Sequence, residues 1–323
     1  MPPRWPPCCA VAIPGRSAEL PDNRKGLVYG FGAYLLWGLF PLYWPLLKPA
    51  GAIEILAQRM LWSLLLIVGV LVATRNLAAV RRLVADRAKL ARLSLAADTV
   101  SVNWGVYIWA VNAGHVIETS LGYFINPLFT IMLGVLVLKE RLNRAQWVAV
   151  GIATLAIVVL TVDYGRLPWI ALTLAVSFGC YGFLKKQVSA GAVESLAVET
   201  AVMAAPALLT LIVLAEQSRL AFGHHGAANT ALLVGTGVVT AIPLLLFGAA
   251  ARRLPLTSIG LLQYLAPVLQ FAVGVGIRHE PMPLARLLGF VLVWVALVVL
   301  TVDALARRRR AGDLARSAEA LAA

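Results

Sequence analysis

Charged residues are scarce in this sequence. Asp, Glu, Lys and Arg make up 13% of its 323 residues, whereas apolar residues make up 60%. Soluble domains carry about 25% charged residues and roughly 45–50% apolar ones. The composition excludes an intrinsically disordered chain, which has too few apolar residues to form a core, and it argues against a water-soluble enzyme. It is typical of a chain whose surface contacts lipid.

Cysteines and the common catalytic motifs are also scarce or missing. The cysteines, Cys8, Cys9 and Cys180, indicate no disulfide framework. The sequence lacks the His-Glu-x-x-His zinc motif, the Gly-x-Ser-x-Gly nucleophile elbow and the Walker phosphate loop. We therefore predict no catalytic residue, no bound metal and no cofactor. His224 and His225 fall in a predicted outside loop, where solvation explains them better than metal binding does.

Long apolar runs are what the sequence has in abundance. A helix needs about 20 apolar residues to cross the roughly 30 Å hydrocarbon core of a bilayer. Ten blocks meet this need, at 26–47, 53–73, 94–113, 117–138, 145–162, 168–184, 194–214, 230–250, 257–277 and 283–302. They lack the alternation of barrel strands and are about twice as long. The sequence therefore predicts an all-α integral membrane protein with ten transmembrane helices.

The positions of Lys and Arg predict the orientation. Most of the 28 fall in loops that lie inside if the N-terminus is cytoplasmic, as the positive-inside rule requires. We expect a multi-pass protein of the cytoplasmic (inner) membrane with both termini in the cytoplasm, 1–23 forming a disordered tail and 304–323 a basic tail. The net charge of +13 then reflects loop orientation and attraction to anionic lipids, so no nucleic-acid partner is predicted. Residues 77–92 place apolar and basic residues on opposite faces, which predicts an interfacial helix.

The sequence also repeats itself at an offset of 140 residues. Residues 121–163 align without a gap on 261–303, with matched Pro127 and Pro267 and a shared Thr-Val-Asp end. Each copy holds five predicted spans, an odd number, so the second copy must be inverted in the membrane. We predict two inverted five-helix repeats, 26–163 and 166–303, a design that recurs in transporters.

Several motifs resemble those of a known family. They are Leu-Leu-Trp-Gly-Leu-Phe-Pro-Leu-Tyr at 35–43, Arg-Met-Leu-Trp-Ser at 59–63, Asn-Trp at 103–104 and Glu-Thr-Ser-Leu-Gly-Tyr-Phe-Ile-Asn-Pro at 118–127. Over about 25–303 the chain resembles RarD-type permeases of the EamA branch of the drug/metabolite transporter superfamily. The resemblance implies a ten-span inner-membrane permease, with the fifth and tenth spans packed together away from the pathway.

Two ionisable residues stand inside spans at matched positions of the repeats. Arg59 lies in the second span and Glu199 at the equivalent place in the seventh. A charge at the centre of a membrane helix costs about 2.5–3.5 kcal/mol on insertion scales, so each requires an explanation. They could be anion-facing and cation-facing groups of one pathway. Alternatively, each could be neutralised by a local partner, and Arg59 could also extend to the headgroups.

Polar stripes predict where a cavity lies. Tyr123 and Asn126 share a face of the fourth span. In the ninth span, Gln263 and Gln270 are the residues that align with Tyr123 and Thr130 at the 140-residue offset. Pro127 and Pro267 predict helix breaks at matched positions of these two spans, and matched breaks indicate a central binding site. Alternatively, the polar side chains could form hydrogen bonds between helices. The remaining predicted cavity residues are Asn103 and Tyr107 of the third span, with Trp37 and Tyr181 as aromatic walls.

Together these features predict a secondary transporter that moves a small organic solute by alternating access. Its partners would be the solute and membrane lipids; a monomer is sufficient, although a homodimer is compatible with the sequence. Two alternatives remain open. One is a membrane enzyme that acts on a lipid-linked or amphipathic substrate through Asp98, Glu118 or Glu199, and the other is a regulatory membrane protein that transports nothing.

Overall fold

The computed structural model describes residues 19–139, 142–188, 190–251, 253–254 and 256–322. Every regular element within these ranges is helical. The helices are α1 Glu19–Tyr43, α2 Ala52–Ala73, α3 Leu77–Ala85, α4 Arg87–Asn112, α5 Val116–Leu138, α6 Arg144–Tyr164, α7 Trp169–Lys186, α8 Ala192–Glu216, α9 Gly226–Ala251, α10 Leu256–Leu262, α11 Leu265–Gly276 and α12 Leu284–Ala322. A 3₁₀ turn, Trp44–Leu47, follows α1. The prediction of an all-α chain is confirmed for this part of the sequence.

Eight segments of the described chain are long and apolar enough to cross a membrane. They are Arg24–Leu47, Ala52–Ala73, Val116–Val137, Arg144–Tyr164, Ala192–Glu216, Gly226–Ala251, Ser258–Gly276 and Leu284–Arg307. The predicted spans 94–113 and 168–184 correspond, to within one residue, to parts of α4 and α7, which are helical but less apolar. Basic residues open α4, and α7 is 18 residues long and ends in two lysines.

The two predicted tails fall only partly within the described residues. Residues 1–18 of the predicted N-terminal tail lie outside them, and α1 begins at Glu19. At the other end α12 continues without interruption to Ala322, so the segment 304–322 is an extension of the last helix.

The single interfacial helix predicted over 77–92 is wrong, because the chain forms two helices there. Asp86 has an extended backbone conformation, and its carboxylate accepts hydrogen bonds from the N–H groups of Ala88 and Lys89, both at 3.1 Å. This is an N-cap, which ends α3 and starts α4. The hydrogen bond from the Lys89 backbone lowers the pKa of Asp86 below its ordinary value. Leu83 of α3 packs against α4 and α8 rather than standing free.

The predicted break at Pro127 is also wrong. Helix α5 is continuous through this proline, because packing against α7 holds the turns on both sides of it. Gly122 lies against Ala171 before the proline, and the Phe129 ring lies against Gly179 after it. A proline is tolerated inside a membrane helix where neighbouring helices support the flanking turns. In the second copy α10 ends at Leu262 and α11 begins at Leu265, so Pro267 stands in the first turn of α11, where a missing N–H costs little.

The helices pack in pairs from the two halves of the chain. Helix α5 packs on α7 and α1 on α11, while α4 packs on α7 and α1 on α9. Helix α2 contacts both α8 and α9, and α8 also contacts α4. The pairing of α6 with α12, expected from the family resemblance, is confirmed: Ala149, Ala153 and Ala156 pack with Phe290 and Val293 in one core cluster. Small residues allow this close approach of two membrane helices.

Candidate functional site

Arg59 is the most deeply buried cation of the candidate site. It projects from α2, is 2% exposed, and its Nε donates a hydrogen bond to Thr240 Oγ1 of α9 at 2.7 Å. Its Cζ atom lies 3.7 Å from the centre of the Trp104 ring and 5.2 Å from that of Trp44. The Phe40 ring, at 5.8 Å, closes a third side. The guanidinium is therefore held by one hydrogen bond within an aromatic enclosure.

No carboxylate of the described residues neutralises this guanidinium. Among the residues that the structure describes, none of the Asp and Glu oxygens lies within 4.0 Å of Arg59. Rings on the faces of a guanidinium compensate part of its lost hydration, by roughly 2 kcal/mol at a desolvated site. They do not replace hydrogen bonds, because a guanidinium has five N–H groups and accepts none. The predicted alternative of a local neutralising partner thus does not describe Arg59.

Polar side chains of α4, α5 and α7 form a network beside Arg59. Tyr123 Oη donates to Asn103 Oδ1 at 3.1 Å. The Nδ2 group of Asn103 in turn donates to Leu174 O and Ser177 Oγ, both at 3.0 Å. The Tyr107 ring packs edge-on against Tyr123, with centroids 5.7 Å apart. Tyr107 also lies in one core cluster with Phe40 and Trp44, the rings that face Arg59. Three predicted cavity residues are thus brought together with Arg59.

Glu199 is in the opposite situation, because it is fully partnered. This carboxylate of α8 is 3% exposed; its Oε1 lies 2.6 Å from Lys185 Nζ, and its Oε2 accepts a hydrogen bond from Tyr181 Oη at 3.1 Å. Lys185 also donates to Ser195 Oγ at 2.5 Å. For Glu199, a local partner is what the structure shows.

A row of aromatic rings joins the two charged groups. Phe178 lies between Tyr123 and Tyr181, with both ring centroids 5.9 Å from its own. The row therefore runs from Arg59 through Tyr123, Phe178 and Tyr181 to Glu199. It passes along α7, which packs against both α4 and α5. Six of the predicted cavity residues lie on or beside this row: Arg59, Asn103, Tyr107, Tyr123, Tyr181 and Glu199.

Of the remaining predicted cavity residues, Asn126 and Gln270 join helices by hydrogen bonds. Asn126 Nδ2 donates to Ala175 O at 3.2 Å, which joins α5 to α7. Gln270 Nε2 donates to Trp37 O at 3.3 Å, which joins α11 to α1, while Gln270 Oε1 has no partner among the described residues. Gln263 is half-buried, and its side chain makes no hydrogen bond within the described part of the chain.

Sequence reasoning missed several contributors to the site, among them Lys185, Trp44 and Thr240. The predicted span 168–184 ends just before Lys185, although its spacing of four residues from Tyr181 places both on one face of α7. Trp44 lies in a short 3₁₀ turn, and no periodicity marks it. Thr240 is on α9, and no local pattern links it to Arg59, which is 181 residues away in sequence.

Away from Arg59, a pocket of about 250 Å³ with polar and charged lining residues lies where α5, α7 and α12 begin. Its charged groups are paired: Glu118 with Arg166 at 2.8 Å, and Asp163 with Arg286 at 2.9 Å. Glu280 accepts hydrogen bonds from the first N–H groups of α5, those of Val116 and Ile117. Burial raises the pKa of Glu280, and these two hydrogen bonds partly oppose the rise. Asp98, another predicted acid or base candidate, is exposed in a groove between α4 and α7.

Comparison with known proteins places the chain in a family. The model of the EamA-like transporter family matches residues 24–162. Protein RarD of Streptomyces exfoliatus is 57% identical over 292 residues, covering 90% of this chain and 93% of the relative. The uncharacterized transporter YojE of Bacillus subtilis is 41% identical, covering 87% and 94%. Protein RarD of Escherichia coli is 37% identical, covering 90% and 98%.

A solved crystal structure shares the fold. It superposes with a TM-score of 0.58 at 18% identity and covers 86% of this chain and 97% of its own. The sequence relatives extend over nearly the whole chain, including both halves of the row from Arg59 to Glu199. The chain therefore belongs to the RarD proteins of the EamA-like transporter family.

Proposed function

We propose that this protein is a secondary transporter that moves a small organic solute across the cytoplasmic membrane by alternating access. In this proposal α4 and α7 complete a set of ten spans, built as two inverted repeats. The observation that carries the proposal is the buried guanidinium of Arg59, which has no carboxylate within 4.0 Å in the described part of the chain. It lies at one end of an aromatic row that ends at Glu199. A charge held at this depth is expensive, and its use is the binding of a ligand that completes its hydrogen bonds.

Helix packing supports the inverted repeats. The 140-residue offset matches α1 with α7, α2 with α8, α4 with α9, α5 with α10 and α11, and α6 with α12. Under this exchange the pair α5–α7 becomes α11–α1, α4–α7 becomes α9–α1, and α2–α9 becomes α8–α4; all of these pairs are in contact. The pairs α2–α8, α5–α11 and α6–α12 map onto themselves. This is the contact pattern expected for two similar halves around a two-fold axis.

The two ends of the molecule differ, as alternating access requires. At the predicted outer end, Glu54 accepts hydrogen bonds from the N–H groups of Ala221, at 3.0 Å, and Phe222, at 2.9 Å. Tyr43 Oη also donates to Leu232 O at 2.6 Å. At the opposite end Glu194, the repeat equivalent of Glu54, is hydrogen-bonded by the side-chain amide of Asn76. Equivalent carboxylates with different partners are expected when one end is closed and the other is free to open.

The direct test is counterflow of labelled solutes in proteoliposomes, after a screen of metabolites and drugs by thermal stabilisation of the purified protein. We expect Arg59→Ala to abolish exchange of the stabilising solute, because the solute loses its buried donor. Arg219→Ala, which removes an exposed arginine outside the row, should exchange at the normal rate. The solute should be recovered with unchanged mass. Normal exchange by Arg59→Ala would contradict the proposed pathway, and a solute of altered mass would favour the enzyme alternative.

A further inference from the structure

We infer that the transported solute is a small organic carboxylate, bound by Arg59 together with the Tyr107 hydroxyl and the Trp44 indole N–H. This inference rests on the proposed function, since it takes Arg59 as part of the solute pathway. It goes further, because it assigns a substrate class and two binding groups.

Arg59, Tyr107 and Trp44 carry hydrogen-bond donors that no described residue accepts. Of the five N–H groups of Arg59, the Nε–H is committed to Thr240, and the terminal amino groups donate to no described residue. Tyr107 is 2% exposed and Trp44 is 0% exposed, yet Tyr107 Oη and Trp44 Nε1 have no hydrogen-bond partner among the described residues. A buried donor without a partner is destabilising, so two such side chains near the Arg59 guanidinium require an explanation.

The unused donors belong to one site. The Trp44 ring is centred 5.2 Å from Arg59 Cζ. Tyr107 and Trp44 lie in the same core cluster as Phe40, which also faces the guanidinium. The guanidinium and the indole can only donate, so a ligand that satisfies them must supply acceptor oxygens.

The charge of the ligand follows from the neighbouring groups. Arg59 has no carboxylate within 4.0 Å in the described chain, so a negative ligand would supply the missing charge. The carboxylate of Glu199, which a solute amine would need, is already bound by Lys185 and Tyr181. The site therefore favours an anion over a cation or a zwitterion. Among organic anions, a carboxylate matches the planar, two-oxygen geometry that the edge of a guanidinium recognises.

The aromatic rings around Arg59 indicate the chemistry of the rest of the solute, apart from its carboxylate. Trp104 covers one face of the guanidinium at 3.7 Å, which leaves its edge as the hydrogen-bonding surface. Phe40 and Trp44 then offer apolar surface beside a carboxylate bound at that edge. A carboxylate with a small apolar or aromatic body fits such walls, because ligand pockets combine apolar surface with a few placed polar groups.

The test compares acids with their amides, which have nearly the same shape but no charge. The probes are benzoate and benzamide, indole-3-acetate and indole-3-acetamide, and lactate and lactamide, titrated against thermal unfolding of the full-length protein in detergent. We expect at least one acid to bind ten or more times more tightly than its amide. Tyr107→Phe should weaken that acid about tenfold, as loss of one hydrogen bond to a charged ligand does. Tyr29→Phe, a hydroxyl removed away from the site, should leave acid binding unchanged.

Each outcome decides the inference. If no acid binds more tightly than its amide, or if Tyr107→Phe binds the preferred acid as well as the unaltered protein does, the inference is wrong. If a neutral or cationic solute exchanges in proteoliposomes and the exchange is lost in Arg59→Ala, the proposed transport stands and the carboxylate inference falls. If an acid binds in a Tyr107-dependent way but nothing exchanges, the carboxylate site stands and the proposed transport falls.

Discussion

At the scale of single residues, the contrast between Arg59 and Glu199 is the main result. They occupy equivalent positions of the two sequence copies, and both are nearly inaccessible. Glu199 has Lys185 and Tyr181 as partners, whereas Arg59 has one threonine and three aromatic rings. A buried carboxylate that loses its cation is strongly destabilised, so the Lys185–Glu199 pair stabilises this conformation.

The first prediction at this scale concerns that pair. Lys185→Met should lower the stability of the protein by on the order of 3 kcal/mol, the lower end of the range for a broken buried pair, because Lys185 is 26% exposed and water screens part of the charge. The double variant Lys185→Met with Glu199→Gln should regain most of this loss, since no unpaired charge remains buried. Thermal unfolding in detergent measures both, and Lys186→Met on the neighbouring exposed lysine is the control. A double variant no more stable than Lys185→Met would contradict the stabilising role of the pair.

At the scale of elements, the packing of α5 on α7 explains the Glu-Thr-Ser-Leu-Gly-Tyr-Phe-Ile-Asn-Pro motif at 118–127. Glu118 pairs with Arg166 just before α7, Tyr123 donates to Asn103, and Asn126 donates to a carbonyl of α7. Gly122 lies between these contacts: a Cβ atom there would lie 2.7 Å from Ala171 O and 2.9 Å from Leu174 Cβ. Position 122 therefore permits the close approach that places Tyr123 in the aromatic row.

The prediction at this scale is that Gly122→Ala separates α5 from α7. The added methyl group meets backbone atoms that cannot move aside, so we expect a loss of about 1–3 kcal/mol in stability, as in other overpacked sites. Solute exchange should fall as well, because Tyr123 loses its position beside Asn103. Gly151→Ala in α6 is the matched control, since nothing lies within 4 Å of a Cβ atom at that glycine. Equal stability of the two variants would show that the close approach at Gly122 is unimportant.

At the scale of the whole molecule, the orientation in the membrane determines what each end does. The proposal places the loop between α8 and α9 outside and the loop between α2 and α3 inside, in agreement with the excess of Lys and Arg in the predicted inside loops. The hydrogen bonds from Ala221 and Phe222 to Glu54 then close the outer end in this conformation.

The prediction at this scale is the orientation of these loops in the membrane, which labelling with a membrane-impermeant maleimide can test. After Cys8, Cys9 and Cys180 are replaced by Ser, His225→Cys should be labelled in intact cells, and Thr74→Cys should be labelled only after the membrane is permeabilised. Both positions are exposed, so the reagent can reach them on whichever side they lie. Labelling of Thr74→Cys in intact cells would overturn the orientation.

The sequence predicted the helices well but not every helix end. Spans were recognisable because apolar composition over about 20 residues is a local property. The helix predicted over 77–92 is interrupted because the side chain of Asp86 caps α4, an interaction that the amphipathic pattern does not contain. The helix through Pro127 is continuous because contacts with another helix compensate for the missing hydrogen bond, and sequence periodicity does not report those contacts.

The sequence alone determined that the chain is helical, apolar and internally repeated, and it identified Arg59 and Glu199 as the residues that require explanation. Their chemical states depended on the tertiary structure. Lys185 and Thr240 reach them from other helices, and the distance along the chain from Arg59 to Thr240 is 181 residues. Burial and pairing are properties of three-dimensional neighbours, which a linear pattern does not specify. Only the fold could reveal that Glu199 is paired with a lysine, whereas no carboxylate of the described residues lies within 4.0 Å of Arg59.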